Sequence, residues 1–429
     1  MNFFNRKISF FFGFALTVGA TAWPGTAQAV DLDRIAFQEQ QNILRDTRPA
    51  PVETALDGGM PKDIRLVYHI EETFDDNIFL SKKKLQNDWI TRLAPTLQGS
   101  IRSDKTFLYL AGKLDSRIYA IHGHNTSVDP GLTLRTDLFR TSRLKLSLKE
   151  NFTQRTSIGQ ASTEKPTKRL VNHLGVSAVF DISPKTSLGL DYNQAVSYYK
   201  TIASRHTNQF HNSVRSSFLW RILPKLTLRS SYAFAINDYY YENNGNNLIY
   251  HQVMESAEGY ITPKSRINLG FGYKYNMYHN RDHRNRGGIV FNGGYHYQWT
   301  EKTDIRLFGS RNIYESQNRI INRENAEQSG SQSSDSTLVS TSAGLTINHR
   351  LTERLNTRLS GYWGRLERAD SSSGTPTTTY LDMATEIGYQ INRFLALWLR
   401  YDYRCALNKN KDSEYKNNRI TCGLRGTFG

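Results

Sequence analysis

Acidic and amide side chains crowd one short stretch of this chain, Glu71-Glu72-Thr73-Phe74-Asp75-Asp76-Asn77. So many oxygen donors invite a calcium-loop reading. Such a loop spreads its ligands over about twelve residues, with a glycine at the sixth and a glutamate at the twelfth. Neither residue is in place here. A turn closing a hairpin, where Asp and Asn bond back to nearby backbone, fits these residue types better. His122 with His124, and His279 with His283, are pairs in polar stretches. Zinc needs three or four converging ligands, so both pairs read as solvated loop residues. No Ser-His-Asp order and no Gly-Xaa-Ser-Xaa-Gly stands out. No cofactor or metal is expected.

The elements that carry these residues follow one pattern. In 266–278, Ile267, Leu269, Phe271, Tyr273, Tyr275 and Met277 share a face opposite Arg266, Asn268, Gly270, Gly272, Lys274 and Asn276. The same alternation runs through 187–198 and 396–404. A period of two with one apolar face marks a strand between an apolar and a polar medium. Short turns are expected at Arg102–Lys105, Thr141–Ser142, Ser183–Thr186, Leu223–Lys225, Thr262–Ser265, Thr300–Thr303, Leu351–Arg354 and Asn392–Phe394. Longer polar connections lie near 76–87, 120–127, 155–168, 200–208, 241–247, 279–287, 317–335, 369–379 and 408–416. This alternation predicts an all-β, antiparallel up-and-down transmembrane barrel of about 18 strands, with short turns on the periplasmic side. A propeller would repeat every four strands instead of every two.

The ends agree with that reading. Asn5-Arg6-Lys7, an apolar run from Ile8 to Ala22, and Ala27-Gln28-Ala29 have the order of an export signal, so 1–29 reads as a signal peptide. Residues 30–62 carry Arg48-Pro49-Ala50-Pro51 and Gly58-Gly59 and read as a periplasmic extension. The span 63–429 shows no internal linker and reads as one barrel domain in the bacterial outer membrane. After Val30 no apolar stretch is long enough for a spanning helix. Yet the chain holds 24 Tyr, 21 Phe and 30 Gly, a composition suited to a barrel with an apolar, lipid-contacting outside and a polar lumen.

At the first hairpin, Phe74-Asp75-Asp76-Asn77-Ile78-Phe79 is followed by Asp88-Trp89-Ile90-Thr91-Arg92-Leu93-Ala94-Pro95-Thr96-Leu97. Here the chain resembles the type-two β-barrel porins, outer-membrane barrels associated with exopolysaccharide secretion. Their first strand ends in an aromatic-x-Asp-Asn-aliphatic-aromatic run, and their second holds an apolar residue, a small residue and proline. The Pro-Lys-Thr turns fit as well. The resemblance spans about 63–429. It implies export of a polysaccharide, assisted by periplasmic and inner-membrane synthesis and export proteins, and supplies no catalytic residues.

The formal charge is +16, and losing Arg6 and Lys7 with the signal lowers it by two, to +14. With apolar residues facing lipid, thirteen basic residues should line the lumen: Arg92, Lys113, Arg117, Arg135, Lys145, Lys149, Arg215, Arg229, Lys274, Arg306, Arg358, Arg400 and Arg404. Six inward acids oppose them: Asp115, Asp137, Asp191, Asp382, Glu386 and Asp402. A positive lumen attracts anions, so the expected cargo is an acidic exopolysaccharide. An anion-preferring or general diffusion porin is the second reading. The third is an outer-membrane enzyme acting on lipid or polysaccharide, because catalytic triads are set by geometry and not by order. Nucleic acid is not an expected partner, since the charges are spread singly along strands without a basic cluster. Cys405 and Cys422, on the last two strands, are expected to face outward and to pair, since the periplasm is oxidising.

Overall fold

In lipid, every backbone polar group must be satisfied by another strand, so strands of this pattern can only close on themselves. The computed structural model describes residues 62–83, 85–140, 142–158, 166–200, 208–239, 247–278, 285–315, 337–368, 377–408 and 414–428. The expected signal peptide, the extension at 30–62 apart from Lys62, the connection 317–335, and His279 and His283 lie outside them.

The strands are β1 (Lys62–Asp75), β2 (Asp88–Leu93), β3 (Thr96–Arg102), β4 (Thr106–Tyr119), β5 (Ser127–Leu138), β6 (Leu144–Ser157), β7 (Thr167–Asp181), β8 (Thr186–Tyr199), β9 (Gln209–Leu223) and β10 (Leu226–Tyr239). They continue as β11 (Leu248–Thr262), β12 (Ser265–Tyr278), β13 (Arg286–Thr300), β14 (Thr303–Glu315), β15 (Thr337–Arg350), β16 (Leu355–Arg368), β17 (Thr377–Asn392), β18 (Leu395–Asn408) and β19 (Tyr415–Phe428). β2 and β3 are halves of one barrel strand, since both pair with β1 and with β4. Pro95 has no N–H for the ladder. The chain bends there, while Ala94 N–H still reaches the His69 carbonyl at 2.8 Å. The result is a closed antiparallel barrel of eighteen strands, sealed by β1 on β19 from Leu66↔Phe428 to Asp75↔Arg419.

The described short turns fall where the sequence places them, and their side chains explain why. In Ser183-Pro184-Lys185-Thr186 the Ser183 hydroxyl accepts from the Thr186 N–H at 3.1 Å. Asn392 Oδ1 accepts from Phe394 and Leu395 N–H groups at 2.8 and 3.0 Å. Such local acceptors favour a tight reversal over a longer loop. At the seam, Tyr68 and Phe428 stack with ring centroids 5.5 Å apart. Gly426 makes room for that pair, since a Cβ there would force the Tyr68 ring to shift.

The outer wall is apolar, as the exposed Leu110, Leu190, Phe271, Ile289, Leu359, Leu399 and Ile420 show. Two carboxylates interrupt it near the middle of their strands. Glu150 accepts from Asn172 Nδ2 at 3.0 Å, and Glu255 accepts from the Ser230 hydroxyl at 2.7 Å.

The cysteines do not pair. Cys405 lies opposite Lys416 and Cys422 opposite Leu399. That register puts them six residues apart along the hairpin, about 20 Å at the strand rise. Both thiols are free, Cys405 buried and Cys422 exposed. The expected bond assumed a register with Leu407 near Asn418, whereas Ala406 pairs with Tyr415.

Candidate functional site

Because the strand period is two, the register assigns each side chain a wall. All thirteen basic residues singled out in the sequence stand on the inner face, as do the six acids. The register adds Glu71, Asp75, Arg419 and others to the same wall. Their surroundings divide the lumen into two arcs.

On the arc from β16 through the seam to β4, cations meet acids. Arg92 holds Asp115 through two bonds, Nε to Oδ1 at 2.7 Å and Nη2 to Oδ2 at 2.6 Å, and reaches Glu71 at 3.0 Å. Lys113 and Arg117 approach the same Asp115 at 3.0 and 3.8 Å. Arg400 holds Asp402 through two bonds, at 2.9 and 2.7 Å, and lies 3.6 Å from Glu386. Arg419 lies 3.3 Å from Asp75. Arg358 donates to Asn348 at 2.7 Å. The Nε atoms of Arg404 and Arg419 are buried with no hydrogen-bond partner among the described residues. Paired, planar contacts of this kind hold side chains in fixed geometry.

On the arc from β6 to β10 the picture changes. Lys149, Arg215 and Arg229 make no ion pair with any described carboxylate. Asp191 sits opposite Arg215 but takes its hydrogen bond from Ser177 instead. Each has a small residue on one side, Gly175 opposite Lys149, Ala233 opposite Arg215 and Ser256 opposite Arg229, and Arg135, Asp191 and Leu219 respectively on the other. Lys149 and Arg215 are exposed and Arg229 is half-buried, so all three reach the water of the lumen. The other basic residues, Arg404 apart, are occupied. Arg135 and Lys145 pair with Asp137 and Asp181 at 3.0 and 2.6 Å. Arg306 pairs with Asp304 at 3.1 Å. Lys274 donates to the Ile313 carbonyl at 2.9 Å and stands 4.1 Å from the Tyr250 ring centroid.

The mouth at the long-loop side is built by the acidic motif, in a way the sequence did not reveal. Asp75 accepts from Asn77 N–H at 3.0 Å and from Asn417 Nδ2 at 2.6 Å. Asp76 accepts from Asn418 N–H and Nδ2 at 2.7 and 2.6 Å. Asn77 Nδ2 donates to the Lys416 carbonyl at 2.8 Å. The motif is thus a clamp between the first hairpin and the last strand, across the barrel seam, and more than a local turn. It turns the following residues onto the inner wall. Ile78 and Phe79 are buried with the inward-facing Ile90 and Tyr119. Leu80, held at φ 49°, packs against Tyr380, Ala406 and Tyr415.

His122, expected to be a solvated loop residue, is fixed in this mouth. Its Nδ1 lies 2.9 Å from Asp88 Oδ2 and its Nε2 lies 2.9 Å from Gln86 Oε1. Phe79 meets its ring edge-on, centroids 5.2 Å apart. Asp88 also accepts from the Ile121 and His122 N–H groups, both at 2.9 Å. The spacing between Asp88 and His122 carried no signal, since barrel register alone brings them together. Asn417 and Asn418 were missed for the same reason.

Residues 260–428 match the family model described as "Putative beta-barrel porin 2", in line with the resemblance carried by the first hairpin. No curated protein sequence matches the chain. Among solved structures, the chain resembles OccK2 (OpdF) of Pseudomonas aeruginosa at TM-score 0.50 and 8% identity, covering 86% of this chain and 100% of that one. The outer membrane protein opdK from the same organism gives TM-score 0.48 at 10% identity, covering 86% and 100%. OccAB4 of Acinetobacter baumannii gives 0.46 at 10%, covering 85% and 98%. The chain is a bacterial outer-membrane β-barrel with the fold of solved porins.

Proposed function

We propose that this barrel is an anion-preferring diffusion channel of the outer membrane. The observation that carries the reading is the trio Lys149, Arg215 and Arg229 on the inner wall, none of which makes an ion pair with a described carboxylate. A cation already bonded to a carboxylate is neutralised locally. A free one in a low-dielectric pore wall raises the local concentration of anions. The arc with paired charges contributes polarity and rigidity instead.

Export of an acidic exopolysaccharide, with periplasmic and inner-membrane partners, is the second reading. It rests on the motif of the first hairpin. The structure of the mouth favours small solutes over a continuous chain. The residues that follow Asp76, from Asn77 to Leu80, are tied onto the inner wall by side-chain bonds and buried contacts, and a polymer leaving the pore would have to pass beside them. Liposome swelling separates the two. A diffusion channel admits small organic anions faster than uncharged sugars of equal size. A barrel impermeable to both would remove the channel reading and leave export standing.

A further inference from the structure

Five consecutive short turns repeat one four-residue module. They read Ile182-Ser183-Pro184-Lys185, Ile222-Leu223-Pro224-Lys225, Ile261-Thr262-Pro263-Lys264, Trp299-Thr300-Glu301-Lys302 and Leu351-Thr352-Glu353-Arg354. Transport through the lumen gives no reason for this repetition. Each module opens on an exposed apolar residue at or just past the end of its strand, from Ile222 at 36% to Trp299 at 61%. Each closes on an exposed Lys or Arg with no ion pair to a described carboxylate.

We propose that these turns form a collar that binds anionic phospholipid headgroups in the periplasmic leaflet. These apolar residues stand where the exposed apolar outer wall gives way to the turns, so they mark the edge of the hydrocarbon. The cation follows three residues later, beyond that edge, at the depth of the lipid phosphates. Neighbouring hairpins of a tilted barrel stand about 10–13 Å apart along the rim, a spacing that lets each cation meet a different headgroup. The turns are too short to project into the periplasm, which argues against a protein partner there. Proline in three of the modules fixes the turn and holds the cation at that level. Basic residues beside an anionic surface add to membrane binding, and salt weakens the effect.

The test uses the full chain with all five cations replaced, Lys185→Gln, Lys225→Gln, Lys264→Gln, Lys302→Gln and Arg354→Gln. Wild type and variant are refolded into phosphatidylcholine vesicles with and without about one third phosphatidylglycerol. Wild type is expected to insert at least about fivefold faster with the anionic lipid. The variant should lose that preference and match wild type in phosphatidylcholine alone. No preference in the wild type, or a preference retained by the variant, would overturn the proposal. So would a variant that keeps the wild-type lipid response but loses current rectification in neutral bilayers, which would assign the cations to cargo. If the variant does not refold, the wild type decides alone: its preference must vanish in about 1 M NaCl, and persistence there overturns the collar.

Discussion

The two arcs of the lumen use the same residue types to opposite ends. Around Asp115, three cations share one carboxylate with Arg92 bonded to it twice. Around Arg215, the nearest acid across the strand pair is turned toward a serine, and the guanidinium is left to water. The difference shows that counting charges on a wall does not give its field. The thirteen-to-six excess read from alternation treats every cation as equal, whereas seven of the thirteen lie against a described carboxylate, three of them sharing Asp115.

The largest effect should come from breaking the paired arc. Asp115→Ala strands Arg92, Lys113 and Arg117 together on one wall and is expected to cost about 2–3 kcal/mol. The figure is below that for a fully buried pair because Arg92 and Asp115 keep 28% and 13% of their side-chain exposure. Urea unfolding in vesicles measures it, and a cost within about 0.5 kcal/mol would show the cluster to be ornamental. Next comes the clamp. Asp76→Ala removes the acceptor for two Asn418 donors and should cost about 1–2 kcal/mol. It should also raise single-channel conductance by releasing the residues it ties to the wall, and unchanged conductance would mean that they do not narrow the pore. A smaller effect of opposite sign is expected on the outer wall. Glu255→Leu replaces a lipid-facing carboxylate and should stabilise the barrel by about 1 kcal/mol, whereas destabilisation would indicate that Glu255 faces a partner in place of lipid. The smallest change belongs to the free arc. Arg215→Gln should alter stability by less than about 0.5 kcal/mol, because no ion pair is lost, and a cost as large as that of Asp115→Ala would abolish the distinction between the arcs.

Much of the fold was legible because barrel strands obey simple local rules. Ile267 through Met277 alternate without interruption, and turns such as Thr262–Ser265 carry proline and hydroxyl acceptors where reversals need them. The wall on which each cation stands follows from the same alternation. What could not be read is everything that depends on register across distant strands. Asp88 meets His122 and Asp76 meets Asn418 only because strand pairing and closure bring them together. The cysteine pairing failed on the same point, since a shift of register along one hairpin carries two side chains far apart while preserving their face. Whether Arg215 or Arg92 finds a carboxylate likewise depends on which way a neighbouring acid leans, and Asp191 leans toward Ser177.

Reversal potential in a potassium chloride gradient, across planar bilayers of uncharged lipid, tests the central claim most directly. Wild type should prefer chloride. Replacing the free cations together, Lys149→Gln, Arg215→Gln and Arg229→Gln, should abolish that preference, while replacing the bonded Lys113 with Gln should leave most of it. Cation preference in the wild type, or equal loss in both variants, would contradict the account.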